Sequence, residues 1–307
     1  MPAPISFSNI AFTGNPIIRD SEKRSDDCVE LALKSDESLV ILFINGLAVQ
    51  KEDTPLLTLG EVQQFDPNWK SAVYLGQYRG RSILAAHSDI KIDDLTEPFT
   101  ASNLRSLYTD TKIAPPLVGA LAQASSLLNW HDNNGFCASC GNETLMRCGG
   151  NRRSCSRCGA EHFPRVDPIA IMLVTRRDKC LLAHNHNFTE KRFSCLAGFI
   201  EQGETFEAAV RREVFEEVQI KIGEVTYIAS QPWPFPQALM LGSFADALDN
   251  NIIIDDSEIE QAQWFDRSEV KTMLLEEHPQ NFSLPPTGSI ANYLIRRWLN
   301  KFSRGRS

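Results

Sequence analysis

The sequence predicts an α+β protein made of a β-rich first part, a cysteine-rich segment and a second part with several strands and one clear helix. Short β-like runs separated by polar and Pro/Gly-containing turns fill residues 1–100. Two close cysteine pairs follow within residues 135–165. In residues 166–300, apolar runs of strand length surround a helical pattern that begins near Phe206. These changes of pattern define the predicted domains, with residues 101–134 as a connector.

Length and charge limit the class of protein. A net charge of −8 over 307 residues argues against a general nucleic-acid coat or a membrane-surface protein, although a local basic patch stays possible. The longest apolar run near the N-terminus, Leu39–Ile44, is far shorter than the roughly 20 residues of a membrane span. The first residues also lack the pattern of a secretory signal. We therefore expect a cytoplasmic protein with no membrane partner.

The first part contains no motif that indicates chemistry. Its predicted strands are the runs SLVILFI, SAVYLGQY and RSILAAHS. Residues 101–131 are typical of helical segments, and the Pro115-Pro116 pair suits the start of a helix. We expect this helical stretch to connect the β-rich part to the cysteines.

Two C-x2-C pairs predict a zinc site. Each pair can place two thiolates on one metal, and the 14 residues between the pairs suit two loops that close a tetrahedral site. Gly141 and Gly159 each follow a pair directly and fit tight turns. Four buried or free thiols are the alternative, and Cys148 is interpreted as a bystander rather than a ligand. The predicted ligands of a structural zinc are Cys137, Cys140, Cys155 and Cys158.

Arginines make the cysteine segment basic within an acidic chain. The simpler interpretation is a solvated loop surface, and the alternative is a cradle for polyphosphate or an RNA 5′ end. The arginines concerned are Arg147, Arg152, Arg153, Arg157 and Arg165.

Beyond residue 166 the predicted order is strand, strand, loop, helix and three further strands. The runs PIAIMLVTRR and KCLLAHN are joined by a short turn, and VTYIAS, LMLGSFA and QAQWF follow the helix. Short helices near Ser268–Leu275 and Gly288–Leu299 complete this part. His184 and His186 are interpreted as a strand-end pair rather than as metal ligands.

Two glutamates lie on the helix stripe that should face the core. At about 100° per residue, Glu213 and Glu217 fall in the same arc as Phe206, Ala209 and Val210. Buried carboxylates cost several kcal/mol unless a positive charge compensates them. Divalent cations such as Mg²⁺ prefer carboxylate oxygens and bind together with phosphates. The stripe therefore predicts a cation that links the glutamates to a pyrophosphate.

The stretch GFIEQGETFEAAVRREVFEEVQI resembles the signature of the Nudix hydrolases, G-x5-E-x7-R-E-V-x-E-E. The resemblance implies an α/β/α sandwich with a mixed sheet, and it gives catalytic and metal-binding roles to Glu213, Glu216 and Glu217, leaving open whether Glu216 holds a metal or accepts a proton from the attacking water. It also implies an Arg212–Glu204 pair that fixes the preceding loop. Gln219 replaces the family's glycine at a position suited to a left-handed helix end, so it should cost local stability. The matching residues are Gly198, Glu204, Arg212, Glu213, Val214, Glu216, Glu217 and Ile220.

The downstream segment SQPWPFPQALM resembles the mark of the NADH pyrophosphatase branch of this family, with Ala238 where that branch has serine. The first 130 residues fit the N-terminal domain of that branch only loosely. The resemblance implies that Glu258 is a further metal ligand, although Glu260 lies only two residues away in the sequence and could be mistaken for it. It implies these substrate-binding residues: Phe163, Phe199, Gln231, Pro232, Trp233, Pro234, Phe235, Pro236, Gln237 and Ala291.

The residues of this segment allow two interpretations. Its three prolines remove backbone donors and stiffen an extended chain, so it cannot be a central strand. Trp233 or Phe235 could stack on a base, with Gln231 and Gln237 as hydrogen-bonding ends. The alternative is a rigid proline loop packed on the core. For Phe199 and Ala291, ordinary packing is an equally good interpretation.

The resemblance predicts a Mg²⁺- or Mn²⁺-dependent hydrolase that cleaves the pyrophosphate of NADH or NAD⁺ to nicotinamide mononucleotide and AMP. One alternative is that the main substrate is RNA carrying a 5′ NAD cap. Another is a non-catalytic nucleotide-sensing or DNA-binding module on the same fold. A homodimer is also expected from the family.

Overall fold

The computed structural model describes residues 10–109, 112–186 and 191–301. The chain divides into two compact units. The first comprises residues 11–166 together with 232–237, and the second comprises residue 10 with 167–231 and 238–301. The predicted boundaries at residues 100 and 134 thus fall inside the first unit, and the proline segment is part of that unit. None of the described helices is both long and apolar enough to cross a bilayer.

A six-stranded sheet forms the centre of the first unit. Its strand order is β4-β5-β1-β2-β6, with β3 paired to β1. The three strands predicted from apolar runs are confirmed as β1, β4 and β5, and every residue of β1 is buried. The strands are β1 Leu39–Ile44, β2 Leu47–Lys51, β3 Leu57–Thr58, β4 Val73–Tyr78, β5 Arg81–Ser88 and β6 Phe99–Ser102.

Helices cover both faces of this sheet. The long helix α4 begins at Pro115, as predicted, and buries its apolar side against the sheet residues Ile41, Phe43 and Leu75. Residues 101–134 therefore belong to the fold of this unit. The helices are α1 Cys28–Leu33, α2 Leu59–Val62, α3 Leu104–Leu107 and α4 Pro115–Asn133; 3₁₀ turns lie at Ser21–Lys23, Gln63–Phe65, Ile92–Asp94 and Cys148–Gly150.

The cysteine segment adds a small antiparallel sheet to the first unit. Its strand order is β7-β8-β9. One cysteine pair precedes β7, and the other begins at the last residue of β8. The strands are β7 Thr144–Arg147, β8 Arg152–Cys155 and β9 Glu161–His162.

The second unit contains a mixed six-stranded sheet. Its strand order is β13-β14-β10-β11-β15, and β12 pairs with β10. Strand β10 is parallel to β14 and antiparallel to β11 and β12. The elements are β10 Asp167–Arg176, β11 Lys179–Asn185, β12 Leu196–Phe199, α5 Phe206–Val218, β13 Ile222–Trp233, β14 Ala238–Ala247, β15 Ile259–Asp266, α6 Arg267–Leu274 and α7 Ile290–Lys301.

Helices pack on the two opposite faces of this sheet. Alternating residues of β10 point to the two sides, so Met172 meets α5 while Leu173 meets α6 and α7. This arrangement confirms the predicted α/β/α sandwich and its mixed sheet. Strand β13 lies at the sheet edge, where Pro232 near its end removes no hydrogen bond from a central ladder.

Candidate active site

The helix α5 places the predicted glutamates against the sheet. Thr205 caps its first turn by accepting a hydrogen bond from the Ala208 N–H at 3.2 Å. Ala209 and Val210 are fully buried on the inner stripe, and Glu213 and Glu217 are 9% and 5% exposed. The predicted burial of both carboxylates is confirmed.

Arg212 organises the acids around this helix. Its guanidinium donates two hydrogen bonds to the Glu204 carboxylate, at 2.7 and 2.8 Å. Another nitrogen of the same guanidinium donates to Glu213 and Glu216 at 2.8 Å each, and a further bond reaches the Phe199 carbonyl at 2.9 Å. The pKa of Glu204 is lowered to about 2, mainly because Arg212 donates hydrogen bonds to its carboxylate. Glu204 therefore stays ionised and fixes the loop before α5.

One oxygen of the Glu217 carboxylate is left without compensation by the described residues. Its Oε2 atom is buried and finds no hydrogen-bond partner among the described residues. Burial, reinforced by the nearby charges of Glu213, Glu258 and Glu216, raises its pKa to about 8. Burial also raises the pKa of Glu213, although Arg212 opposes that shift. Such a buried oxygen with acidic neighbours is suited to a divalent cation.

Gly198 leaves room for the end of the Glu213 side chain, which lies against it. The residue is in β12, paired with Ala170 of β10. A Cβ atom at this position would collide with the carboxylate carbon and both carboxylate oxygens of Glu213. The glycine therefore leaves room for the acid itself, rather than providing a left-handed turn.

Glu258 and Glu260, which the sequence could not separate, face different neighbours. Glu258 is exposed in the turn before β15, and its charge contributes to the raised pKa values of Glu213 and Glu217. Glu260 lies two residues later, on β15, and its carboxylate approaches His184 at 3.5 Å. Glu258 is thus the acid that acts electrostatically on the helix glutamates.

Gln219 ends the helix in the left-handed conformation. Its φ is 57° and its N–H donates to the Phe215 carbonyl at 2.9 Å. The predicted left-handed helix end is confirmed, here in a residue with a side chain.

The four thiols form a compact cluster in the first unit. All four Sγ atoms lie within 4.8 Å of one another. The two cysteine pairs have the same backbone pattern. The Gly141 N–H donates to the Cys137 carbonyl at 2.9 Å, and the Gly159 N–H donates to the Cys155 carbonyl at 3.0 Å. Both glycines have positive φ, as their predicted tight turns require.

The spacing of the thiols fits a tetrahedral metal. Cys137 and Cys158 are 3.6 Å apart, and so are Cys140 and Cys155. Zinc–sulfur bonds of about 2.3 Å in a tetrahedron place sulfurs about 3.8 Å apart. Cys148 lies outside this cluster. The arrangement is consistent with a zinc ribbon.

The basic residues of the ribbon are largely engaged within the first unit. Arg153 donates to Thr144 Oγ1 at 2.6 Å and to the Thr144 carbonyl at 2.9 Å. It also contacts Nδ1 of His131 at 2.9 Å. Burial lowers the pKa of His131 to about 4, so this nitrogen accepts while Nε2 donates to the Gly150 carbonyl. Arg153 therefore has a structural role that neither interpretation of the basic patch included.

Two further ribbon arginines have acidic partners. Arg152 pairs with Glu161 at 2.8 Å, and Arg147 lies 3.5 Å from Asp26. Arg157, in contrast, is exposed.

Comparisons with known proteins agree with this geometry. Residues 165–285 match the NUDIX domain, and residues 32–130 match the NADH pyrophosphatase-like rudimentary NUDIX domain. The NAD-capped RNA hydrolase NUDT12 of Homo sapiens is 47% identical over an alignment of 342 positions, gaps included, which covers 94% of this chain and 73% of that protein. The chain belongs to the Nudix hydrolase family.

Two other relatives widen the comparison. The NAD-capped RNA hydrolase NudC of Stutzerimonas stutzeri (strain A1501) is 41% identical over 226 residues, 73% of this chain and 76% of that protein. Nudix hydrolase 19, chloroplastic, of Arabidopsis thaliana is 48% identical over 228 residues, 68% of this chain and 52% of that protein. The match over residues 32–130 gives the first unit a closer family relationship than its sequence motifs indicated.

In this Nudix protein the proline segment packs in the first unit. The Trp233 and Phe235 rings are 5.0 Å apart and contact Phe12 at 6.1 and 5.9 Å. The Arg105 guanidinium lies 4.0 Å from the centre of the Phe235 ring. Pro232 and Gln237 are half-buried, Pro234 is buried, and the carbonyl of the exposed Pro236 accepts a hydrogen bond from Ser126. The packed-loop interpretation describes these contacts, and base stacking by either ring stays a prediction.

The other predicted substrate residues fall into two groups. Gln231 and Ala291 are buried in the second unit, where the Gln231 side chain accepts from the Ile290 N–H and donates to the Gly288 carbonyl. Phe163 and Phe199 are instead 60% and 58% exposed, in the first and second units respectively. The exposed rings are available to a ligand, whereas the Gln231 amide is already bonded on both sides.

Proposed function

We propose that this chain hydrolyses the pyrophosphate bond of a NAD moiety, giving nicotinamide mononucleotide and AMP. The observation that carries the proposal is the buried Oε2 of Glu217, which has no hydrogen-bond partner in the described part of the chain and lies near the charges of Glu213 and Glu258. The match to a NADH pyrophosphatase-like domain and the names of the relatives support NAD as the source of the pyrophosphate.

The catalytic cation is proposed to be Mg²⁺ or Mn²⁺. These hard cations favour carboxylate oxygens, and the acids here offer no nitrogen or sulfur ligand. When bound, such an ion would neutralise and orient the two phosphates. The residues that would hold it are Glu213, Glu216, Glu217 and Glu258.

The protein's own residues position this chemistry. Arg212 holds Glu213 and Glu216 through one nitrogen and Glu204 through two others, so it fixes three acids relative to one helix. Glu216 is exposed and could receive a proton from water as well as contribute to the cation site. Gly198 keeps space for the Glu213 carboxylate. No covalent nucleophile is needed because water can attack the phosphorus directly.

Free NAD(H) and RNA with a 5′ NAD cap are both candidate substrates. The relatives' names favour the capped RNA. Support for a basic RNA cradle on the ribbon is reduced because Arg147, Arg152 and Arg153 already have partners. The exposed Arg157 is therefore the better residue to test. An Arg157→Ala variant should lower kcat/KM for capped RNA but not for NADH, whereas the exposed Arg177→Ala control should change neither.

Release of AMP from NADH by the purified chain tests the reaction itself. We expect AMP in the presence of Mg²⁺ or Mn²⁺ and none after addition of a chelator that leaves the ribbon metal in place. Absence of AMP from both NADH and NAD-capped RNA at saturating Mg²⁺ would overturn the proposal and favour a non-catalytic module.

Three further features complete the proposal. Zinc is the proposed metal of the ribbon, since four cysteine thiolates at tetrahedral spacing suit it. A homodimer and a cytoplasmic location stay predictions from the sequence.

A further inference from the structure

The cysteine pairs of the ribbon belong to an internal repeat whose two copies differ at one informative position. The repeat comprises CASCGNET, residues 137–144, and CSRCGAEH, residues 155–162, at an offset of 18 positions. In both copies the N–H of the first cysteine donates to the carbonyl five residues later, at 2.8 and 2.9 Å. The last position is Thr144 in the first copy and His162 in the second.

The second copy uses this position to place an imidazole against the thiol cluster. Nε2 of His162 lies 3.3 Å from Sγ of Cys137. This distance is slightly longer than the roughly 2.7–3.2 Å of N–H···O bonds, as the larger sulfur atom requires. The ligand atoms that lie within 4.8 Å of one another are those of the four cysteines, so His162 contacts one sulfur from outside that set.

The first copy uses the same position differently. Thr144 is paired with Cys155 across β7 and β8, but its hydroxyl donates to the Gly135 carbonyl at 3.0 Å and accepts from the Arg153 guanidinium at 2.6 Å. This position therefore holds the ribbon backbone and offers the Cys155 sulfur no imidazole. The two copies thus share a backbone pattern and differ in what surrounds the first sulfur of each pair.

A metal-loaded cluster carries charge that the His162 bond can compensate. Four thiolates and one divalent ion together have two excess negative charges. Cys137 is 3% exposed, so water solvates its sulfur little, whereas Cys158 is exposed. Buried charge is costly unless hydrogen-bond donors reach it. A metal-bound thiolate has no hydrogen and can only accept, so Nε2 of His162 is the donor in either protonation state of the ring.

We propose that His162 is a positioning residue for the ribbon metal, donating its Nε2–H to the Cys137 thiolate and stabilising that thiolate in its charged, metal-binding form. The inference rests on the proposed zinc of the ribbon and is independent of the proposed hydrolysis. Groups that hydrogen-bond metal ligands orient them and tune the metal, and their loss typically costs about 10–100-fold in metal affinity.

The same bond ties the metal site to strand β9. This strand is Glu161–His162, and Glu161 pairs with Arg152 of β8 at 2.8 Å. Phe163 follows directly and is 60% exposed. His162 therefore fixes the end of the strand from which the exposed Phe163 ring continues.

The zinc affinity of the full chain tests the bond. A chromophoric chelator competes for zinc with the parent, His162→Ala and His162→Gln, while excess Mg²⁺ occupies the hard oxygen ligands. His162→Ala should raise the zinc dissociation constant by about tenfold or more. His162→Gln should stay close to the parent, because the glutamine amide places an N–H donor at the position of Nε2. The control Leu145→Ala, exposed on β7 at the position after Thr144, should bind zinc as the parent does.

Cobalt in place of zinc provides a spectroscopic signature of the bond. A hydrogen bond lowers the energy of the sulfur lone pairs, so its loss should move the thiolate-to-cobalt charge-transfer band of His162→Ala to longer wavelength. His162→Gln and Leu145→Ala should keep the parental band. Because metal binding and ribbon folding are coupled, any unfolding of His162→Ala contributes to its measured affinity, and His162→Gln separates the bond from the bulk of the ring.

Three results would overturn the proposal. If His162→Ala has parental zinc affinity and the parental cobalt band, the bond contributes nothing to the loaded ribbon. If His162→Gln loses as much affinity as His162→Ala, the ring acts by packing rather than by donation. A parent that binds no zinc would overturn the ribbon metal and this role of His162 together. Neither measurement uses NAD, so failure of the proposed hydrolysis would leave these results unchanged.

Discussion

The thiol cluster and the glutamate helix are two candidate metal sites with opposite construction. In the cluster, two short loops of the same backbone pattern bring four donors within 4.8 Å of one another. In the glutamate site, the acids come from helix α5 and from the turn before β15, and a glycine of β12 leaves space for one of them. One site is built locally, and the other is assembled from segments far apart in the sequence.

This difference separates a site that organises its own segment from one that the fold must organise. The ribbon has a small three-stranded sheet, so a metal bound by its four thiols would supply much of its order. The glutamate site rests on a complete sandwich, which holds Glu217 buried without a partner among the described residues. Loss of the ribbon metal should therefore unfold the ribbon, whereas loss of the cation from the glutamate site should leave the sandwich folded.

Removal of the ribbon metal should have the largest effect on structure. Binding of structural zinc contributes on the order of 10 kcal/mol in small zinc-binding domains. A Cys155→Ser variant should lose zinc and become sensitive to proteolysis within residues 135–165, as measured by metal analysis and mass spectrometry of the fragments. The control Cys148→Ser, outside the cluster, should retain zinc. A Cys155→Ser protein with full zinc content and parental protease resistance would contradict this assignment.

Glu217→Gln should have the largest effect on turnover. A neutral amide is a poor ligand for a hard cation, so we expect kcat for AMP release to fall by about 10³-fold. Circular dichroism should show an intact fold, because the substitution removes a buried charge. The exposed Glu207→Gln, on the same helix, is the matched control and should keep parental turnover. Near-parental turnover in Glu217→Gln would show that Glu217 does not bind the catalytic cation.

Gly198→Ala should reduce activity less than Glu217→Gln does, because it displaces the Glu213 carboxylate but removes no carboxylate. The new methyl group would force the Glu213 carboxylate to move, and a displacement of about 1 Å can cost about 10²-fold in rate. Steady-state kinetics would measure this loss. The control Gly60→Ala has open space around its Cβ and should be neutral. Unchanged kinetics in Gly198→Ala would show that Glu213 need not hold its position.

Gln219→Gly should have the smallest effect, and only on stability. The left-handed conformation costs a residue with a side chain about 1–2 kcal/mol, and the greater freedom of glycine in the unfolded chain offsets about 0.4–1 kcal/mol of that cost. We expect a gain of about 0.5–1 kcal/mol in the free energy of unfolding, measured with urea, and unchanged turnover. A loss of stability would mean that the glutamine side chain stabilises the helix end.

Local patterns in the sequence predicted much of the fold and part of the candidate site. Apolar runs correctly indicated the strands β10 and β11, and the helical periodicity of the residues correctly indicated α5 with its buried glutamates. The Pro115-Pro116 pair correctly indicated the start of α4. The cysteine spacing likewise indicated the thiol cluster, since its geometry depends only on nearby residues.

Contacts between distant segments could not be predicted in this way. The packing of Trp233 and Phe235 with Phe12 joins residues more than two hundred positions apart. The Arg153–His131 contact likewise depends on how α4 meets the ribbon. For each segment ligand binding was one of two interpretations, the other being a solvated loop for the basic segment and a packed loop for the proline-rich one. The partners that Arg153, Trp233 and Phe235 contact were visible only in three dimensions.

In the proposed site a divalent cation compensates the buried charge of Glu217. Its pKa is raised from 4.5 to about 8, so without Mg²⁺ the folded state binds one more proton than the unfolded state between these values. The stability that Glu217 contributes is complete below pH 4.5 and is lost as the pH rises through about 8.

Urea denaturation of the zinc-loaded parent and Glu217→Gln between pH 6 and 8, with and without saturating Mg²⁺, measures this directly. Without Mg²⁺, the parent should lose about 1 kcal/mol per pH unit relative to the variant. Saturating Mg²⁺ should remove that loss in the parent and have little effect on the variant. Parallel pH profiles of the two proteins, with no differential effect of Mg²⁺, would contradict the claim.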